Sequence, residues 1–469
     1  MYMKKHIMNN NFWQHTLLYG IGFISLRAVS FLLLPFYTTA LNTYVAGEVF
    51  IFFTFLAFMN AFYSFGMDSA LLKFHSKNNN VFSTSIISIL LFSIPFSVML
   101  FYFNDFLALF LFNRNTWHMH NYNWIVFIVI ILFFDVLSSR AMTLIRKIEK
   151  PFYYLIISLI NVTCSLLLTW YFVNNIANHD LRLNGVILAT ASVSIIQFVG
   201  LLPIIISNIK SPLFNIKIFK EMFAFAWPFF PATIFFIIIE LSDRIILEHL
   251  CGLNQVGLYG AGYKIAALVL MLVRAFNLNW QPHYIKKGKE HEYNEHLIKN
   301  NFSKIGSLFI VFLIAIITAL SSLYPYIINY IIGADFIKGG EVIPIIAMSY
   351  GFYGLFILQM PSLFIKNKQN WSPIIWGSGA LINIIGNFLL IGKFNLGYLG
   401  AAWATLMAYL TMALCMLILN HYWFKVIYNN FFIALSIIAS MFLFVITKLF
   451  PITSMHHIIM SVLYFGIII

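Results

Sequence analysis

The chain has 469 residues, 61% of them hydrophobic and only 9% charged, with a mean hydropathy of +0.88. That composition excludes a soluble globular domain, which needs far more polar surface. The formal net charge of +13 does not point to nucleic acid, because the cations fall in short loops on alternate sides of apolar segments rather than on one soluble face.

Apolar runs of about 20 residues, each long enough to cross a ~30 Å hydrocarbon core, recur from end to end. Backbone groups in lipid must be bonded internally, and runs of this length satisfy that as helices. The pattern predicts an all-α polytopic membrane protein of 12–14 transmembrane helices. The spans fall at 13–40, 45–72, 81–111, 122–145, 152–173, 184–207, 218–250, 256–280, 303–332, 341–365, 372–392, 397–421, 427–449 and a short last one at 454–469. Lys4 and Lys5 precede the first run, which is too long for a signal peptide and reads as an uncleaved span. Cys164, Cys251 and Cys415 are far apart and imply neither a disulfide framework nor a metal site.

Basic residues set the orientation. With the N-terminus in the cytoplasm, 19 of the 28 Lys and Arg lie in cytoplasmic loops and ends, Lys73, Arg140, Lys210, Lys217 and Lys220 among them, and 5 lie outside. The remaining four, Arg27, Arg244, Lys264 and Arg274, lie inside predicted spans. The longest polar connection, 281–302, has the pattern of a surface-lying amphipathic helix.

Two six-span halves echo one another. Gly185-Val-Ile-Leu-Ala-Thr190 follows Asn161 in the first half, and Gly400-Ala-Ala-Trp-Ala-Thr405 follows Asn383 and Asn387 in the second. Leu41-Asn-Thr-Tyr-Val-Ala-Gly47 and Leu253-Asn-Gln-Val-Gly257 occupy matching connections. Six is even, so both halves start on the same side and the repeat is parallel. This predicts bundles at 1–213 and 214–420, with additional C-terminal helices over 421–469. Gly185, Ala189, Gly400, Ala401 and Ala404 suit close helix packing.

The densest set of intramembrane charge lies between Glu221 and Pro282. A charge at bilayer depth costs at least ~2.5–3.5 kcal/mol on insertion scales, so it faces a cavity or a partner. Glu240, Asp243 and Arg244 share one helical face at i, i+3 and i+4 spacing. Arg244 and Lys264 flank the turn at Cys251–Gln255, at similar depths of ~10 Å, and Arg274 lies deeper. Arg27 sits near the middle of the first span without an acid in that span. The structural alternative is self-neutralising pairs, Glu240 with Arg244 and Asp243 with Lys264. Asp68 and Asp135 are either coupling-ion ligands or structural groups. For Asp68 the structural form is a solvated helix end or turn. For Asp135 it is a hydrogen bond to Ser138 or Ser139, or a pair with Arg140. Trp227-Pro228-Phe229-Phe230-Pro231 predicts a break in the seventh span. No catalytic motif, metal-ligand spacing or cofactor fingerprint occurs, so the expectation is a non-enzyme without a cofactor.

At several of these positions the chain resembles the polysaccharide-repeat or O-antigen flippases of the multidrug/oligosaccharidyl-lipid/polysaccharide exporter superfamily. The residues that carry the resemblance are Asp243-Arg244, Val256-Gly257-Leu-Tyr259, Tyr263-Lys264-Ile265, Gly66-Met-Asp68 with Ala70, and the Gly400–Thr405 segment after Asn383. It implies two bundles around a central cavity working by alternating access. The implied substrate is an undecaprenyl-diphosphate-linked oligosaccharide, an O-antigen or capsule repeat unit, carried across a bacterial cytoplasmic membrane. Arg27, Arg244, Lys264 and Arg274 would then line the cavity and compensate the diphosphate, and Asp68, Asp135, Glu240 and Asp243 would bind a coupling ion or fix structure. The implied partners are that lipid-linked substrate, membrane lipids, and a polysaccharide polymerase with chain-length machinery. A multidrug/cation antiporter of the same superfamily is the first alternative. A membrane polymerase or ligase is the second, and outer loops of around ten residues argue against it.

Overall fold

The structure is a computed structural model that describes residues 2–74, 80–112, 118–119, 122–211, 213–227, 229–289 and 295–449. It is all-α apart from a two-residue antiparallel pair, His118–Met119 with Tyr122–Asn123. Eleven helices, or twelve counting one bent pair, are long and apolar enough to cross a membrane among the described residues. The predicted fourteenth span lies outside them. The chain divides into two compact units, Met1–Ile234 and Phe235–Ile469.

The first unit holds α1 (Tyr2–Ala40), α2 (Thr43–Ser64), α3 (Met67–Phe74), α4 (Val81–Tyr102), α5 (Asn104–Phe112), α6 (Trp124–Lys147), α7 (Pro151–Asn174), α8 (Arg182–Asn208) and α9 (Ile216–Ala226). Its packing runs through α1 on α7, α7 on α8, and α6 on α8 and α2. The predicted second span is two helices. Asn42 opens α2 by accepting the Val45 N–H at 2.8 Å. Phe65 then ends it in the left-handed region (φ 50°), and Gly66 continues there at φ 68°. Asp68 stands in the first turn of α3, where a carboxylate suits the helix dipole.

The second unit takes α10 (Phe229–Cys251) from Phe235 onward, then α11 (Leu253–Lys289), α12 (Glu295–Ile331), α13 (Val342–Gln359), α14 (Pro361–Ile365), α15 (Ser372–Asn387), α16 (Gly397–Trp423) and α17 (Asn430–Leu449). Here α13 is central, packed on α16, α11 and α12, while α15 packs on α16 and α17 on α12. The proline-rich segment does break the seventh span: α9 and the helix from Phe230 meet at 46°. Gly185 and Gly400 mark close approaches, since a Cβ on either would sit 2.9 Å from the backbone of Phe172 or Leu390 respectively. The connection at 281–302 is not a separate surface helix. Its start continues α11 unbroken to Lys289 and its end, from Glu295, opens α12, with 290–294 outside the described residues.

Candidate functional site

The intramembrane charges of the second unit converge in its core. Glu240, Asp243 and Arg244 come from α10, and Tyr259, Tyr263, Lys264 and Arg274 from α11. Tyr350 and Tyr353 come from α13, Asn383 and Asn387 from α15, and Thr405 and Tyr409 from α16. A carboxylate taken from water needs donors to replace its hydration. Glu240 has three from three different helices: the hydroxyls of Tyr263 at 3.1 Å and Tyr350 at 3.2 Å, and that of Tyr409. Asp243, fully buried, accepts from the Tyr259 hydroxyl, from Thr405 at 3.5 Å and from Arg244 at 3.4 Å.

Arg244 is therefore held on all sides. Its Nη1 donates to the Glu240 backbone carbonyl at 2.7 Å, and its guanidinium lies over the rings of Tyr263 (4.3 Å) and Tyr259 (5.6 Å). The expected side-chain pair of Glu240 with Arg244 is thus replaced: Arg244 reaches the Glu240 backbone, and tyrosines hold the carboxylate. Lys264, half-buried beside Tyr263, has Arg244 as the charge that acts on it. A polar relay continues from Asp243 through Thr405 to Asn383 (3.5 Å) and on to Asn387 (3.1 Å), whose buried Oδ1 has no partner among the described residues.

Arg274 differs from these. It is half-buried, with its guanidinium 4.9 Å over the Phe236 ring, and among the described residues it makes no ion pair. The edge of Trp376 closes on Phe236, centroid to centroid 5.7 Å. Glu240 is the carboxylate whose charge acts on Arg274, and Tyr353 and Tyr409 are further neighbours.

In the first unit Asp68 accepts from Arg140, from Ser139 at 3.1 Å and from Ser64 at 3.3 Å. Arg140 also caps α2, donating to the Ser64 carbonyl at 2.7 Å. This corrects two expectations. Arg140, expected among the cytoplasmic loops and span ends, is fully buried on α6, and its partner is Asp68 rather than Asp135. Asp135, half-buried on α6, faces Ser194 on α8. Arg27 lies on α1, and its side chain is outside the described residues. No group of three or more His, Cys, Asp or Glu suited to a metal occurs among the described residues.

Sequence reasoning missed the tyrosines as a set. Tyr259 and Tyr263 are i,i+4, and Tyr350 and Tyr353 i,i+3, so each pair shares a helix face. In a chain that is 18% aromatic that spacing alone does not separate a carboxylate clamp from an interface belt. Glu48 on α2 and Glu248 on α10 are further buried acids that the span-by-span reading passed over.

The family of polysaccharide biosynthesis proteins matches residues 12–282. No curated protein matches the chain. Among solved structures it is similar to a lipid II flippase, MurJ, in its inward closed conformation, at 15% identity over 97% of both chains with a TM-score of 0.74. It is also similar to multidrug resistance MATE transporters of the MOP superfamily. The inward-facing form aligns at 13% identity and TM-score 0.62 over 87% of this chain and 94% of that one. The outward-facing form aligns at 12% and 0.59 over 88% and 94%. At these identities the likeness is one of fold.

Proposed function

The chain belongs to the polysaccharide biosynthesis protein family, and from that premise we propose that it is a flippase for an undecaprenyl-diphosphate-linked oligosaccharide, an O-antigen or capsule repeat unit. The observation that carries the reading is Arg274: a half-buried guanidinium on a membrane-spanning helix, backed by an aromatic ring and without an ion pair among the described residues. The resident counter-charge, Glu240, is held by three tyrosine hydroxyls, so the Arg274 guanidinium keeps donors for a mobile anion, and its planar fork suits a diphosphate. Lys264 stands on the same helix toward the outer end of the spans, with Arg27 as a further cation, while Arg244, engaged by Asp243 and the Glu240 carbonyl, contributes charge from behind. The lipid II flippase fold supports a lipid-linked substrate.

Export of organic cations, the activity class of the multidrug relatives, would need a carboxylate open to substrate. Glu240 and Asp243 are engaged by tyrosines, Thr405 and Arg244, which favours the anionic substrate. The four acids divide on the same logic. We assign Asp68 and Glu240 to structure. Asp243, at the head of the polar chain through Thr405 and Asn383 to Asn387 Oδ1, which has no partner among the described residues, is the coupling-ion candidate of the second unit, and Asp135 is that of the first. The setting is a bacterial cytoplasmic membrane with the N-terminus inside, and the working partners are membrane lipids and a polymerase with chain-length machinery.

The test is complementation of a deletion strain. Arg274→Ala and Arg27→Ala are expected to insert normally and to abolish surface polysaccharide, with sugar units accumulating on the inner leaflet. Wild-type export by both variants overturns the cationic pathway. Accumulation on the outer leaflet in the deletion strain points instead to a polymerase or ligase.

A further inference from the structure

The substrate pathway leaves unused a basic patch in the first unit, where the first turns of α9 and the connection from α8 to α9 meet the start of α4. Three lysines there are exposed: Lys210 on the connection, and Lys217 and Lys220 on the first turns of α9. Exposed Ile209 adjoins Lys210, and exposed Leu213 and Ile216 lie between Lys210 and Lys217 in the chain. The connection is tied down: the Lys210 N–H donates to Ser83 Oγ at 2.7 Å, the Asn215 N–H donates to Thr84 Oγ1 at 3.2 Å, and Asn215 in turn caps α9. A fourth cation, Lys73 of α3, packs its ammonium 3.7 Å over the Phe225 ring of α9. The acid of α9 is Glu221, exposed beside Lys220. The other nearby carboxylate, Asp68 at the start of α3, is occupied by Arg140.

We propose that this patch is a binding surface for anionic phospholipid headgroups. Charge and polarity both fit that occupant. Cations in a fixed frame meet the phosphates, while interleaved apolar side chains enter the boundary between headgroups and acyl chains. A peptide or nucleic-acid partner would not call for isoleucine and leucine between the lysines at the ends of membrane spans. Placing the surface on the cytoplasmic leaflet rests on the proposed orientation, and the binding itself does not.

The experiment is native mass spectrometry of the full chain in detergent, titrated with phosphatidylglycerol and, separately, phosphatidylcholine. Each lysine near an anionic surface contributes roughly fivefold to binding. Lys210→Gln/Lys217→Gln/Lys220→Gln is thus expected to weaken phosphatidylglycerol binding on the order of 100-fold and to leave phosphatidylcholine binding unchanged. The control, Lys304→Gln/Lys368→Gln/Lys425→Gln, removes the same charge from exposed lysines of the second unit and is expected to bind as the wild type. Retention of phosphatidylglycerol by the patch variant overturns the proposal, and so does an equal loss in both variants, which would mark diffuse charge rather than a surface. If the triple variant does not fold, the three single substitutions carry the same test at roughly fivefold each. Neither readout involves transport, so the proposed flippase activity can fail without touching this result.

Discussion

Two arginines inside this protein meet the same physical problem in opposite ways. Arg140, in the first unit, is fully buried, paired with Asp68 and donating to the carbonyl of Ser64. Arg274, in the second, is half-buried against Phe236 and makes no ion pair among the described residues. The first cation is used up by structure: it closes the break between α2 and α3, where two successive residues have positive φ and the backbone carbonyls need a donor. The second keeps its donors. A charge in a bilayer marks function when its partners have to come from elsewhere, and what separates these two arginines is the partners the fold supplies.

The largest effect should come from breaking the closed pair. Asp68→Ala leaves the Arg140 guanidinium buried without its carboxylate, a change that costs about 3–5 kcal/mol. Thermal unfolding in detergent should show a strongly destabilised protein, and Asp68→Leu combined with Arg140→Met should recover most of the loss. Arg274→Ala should do the reverse, costing much less stability than Asp68→Ala, since no ion pair is broken among the described residues, while export of surface polysaccharide is lost. If Arg274→Ala unfolds the protein and Asp68→Ala leaves it intact, the contrast is backwards.

The tyrosine clamp lies between these extremes. Tyr409→Phe removes one of three donors to Glu240 and should cost about 1–3 kcal/mol in stability. Asp243→Asn should also destabilise the fold: an amide oxygen still accepts from Tyr259 and Thr405, but buried Arg244 loses the carboxylate it pairs with. It should in addition flatten the dependence of transport on a sodium or proton gradient. An unchanged ion dependence would remove Asp243 from the coupling role and leave it as structure.

The helical class and most span positions were readable because bilayer thickness fixes the length of apolar runs. The cations of α10 and α11 were readable because an intramembrane charge is conspicuous in a chain with 9% charged residues. Their partners were not. Arg140 reads as part of a cytoplasmic span end because Arg146 and Lys147 follow it closely, and the carboxylate that pairs with it is 72 positions away. Tyr350 and Tyr409 reach Glu240 from 110 and 169 positions away. Such pairings depend on which helices pack together, and span-by-span hydropathy carries no information on that. The break at Phe65 was hidden for another reason: a left-handed phenylalanine has no sequence signal, since its cost is met by stacking between Phe92 (4.7 Å) and Phe230 (4.4 Å).

That break supplies the smallest and most controlled test of the comparison. A Cβ on Gly66 would meet only ordinary contacts, the nearest being the Ala226 carbonyl oxygen at 3.5 Å, so Gly66→Ala is not opposed by crowding. What opposes it is φ 68°, a conformation that costs an L-residue about 1 kcal/mol. If the α2–α3 break is as closed a structure as the Arg140 pair implies, the backbone cannot relax into a continuous helix. Gly66→Ala should then lower stability by about that amount while export stays near wild type. A neutral or stabilising Gly66→Ala would mean that α2 and α3 straighten at little cost, and that Arg140 staples a break the chain does not need.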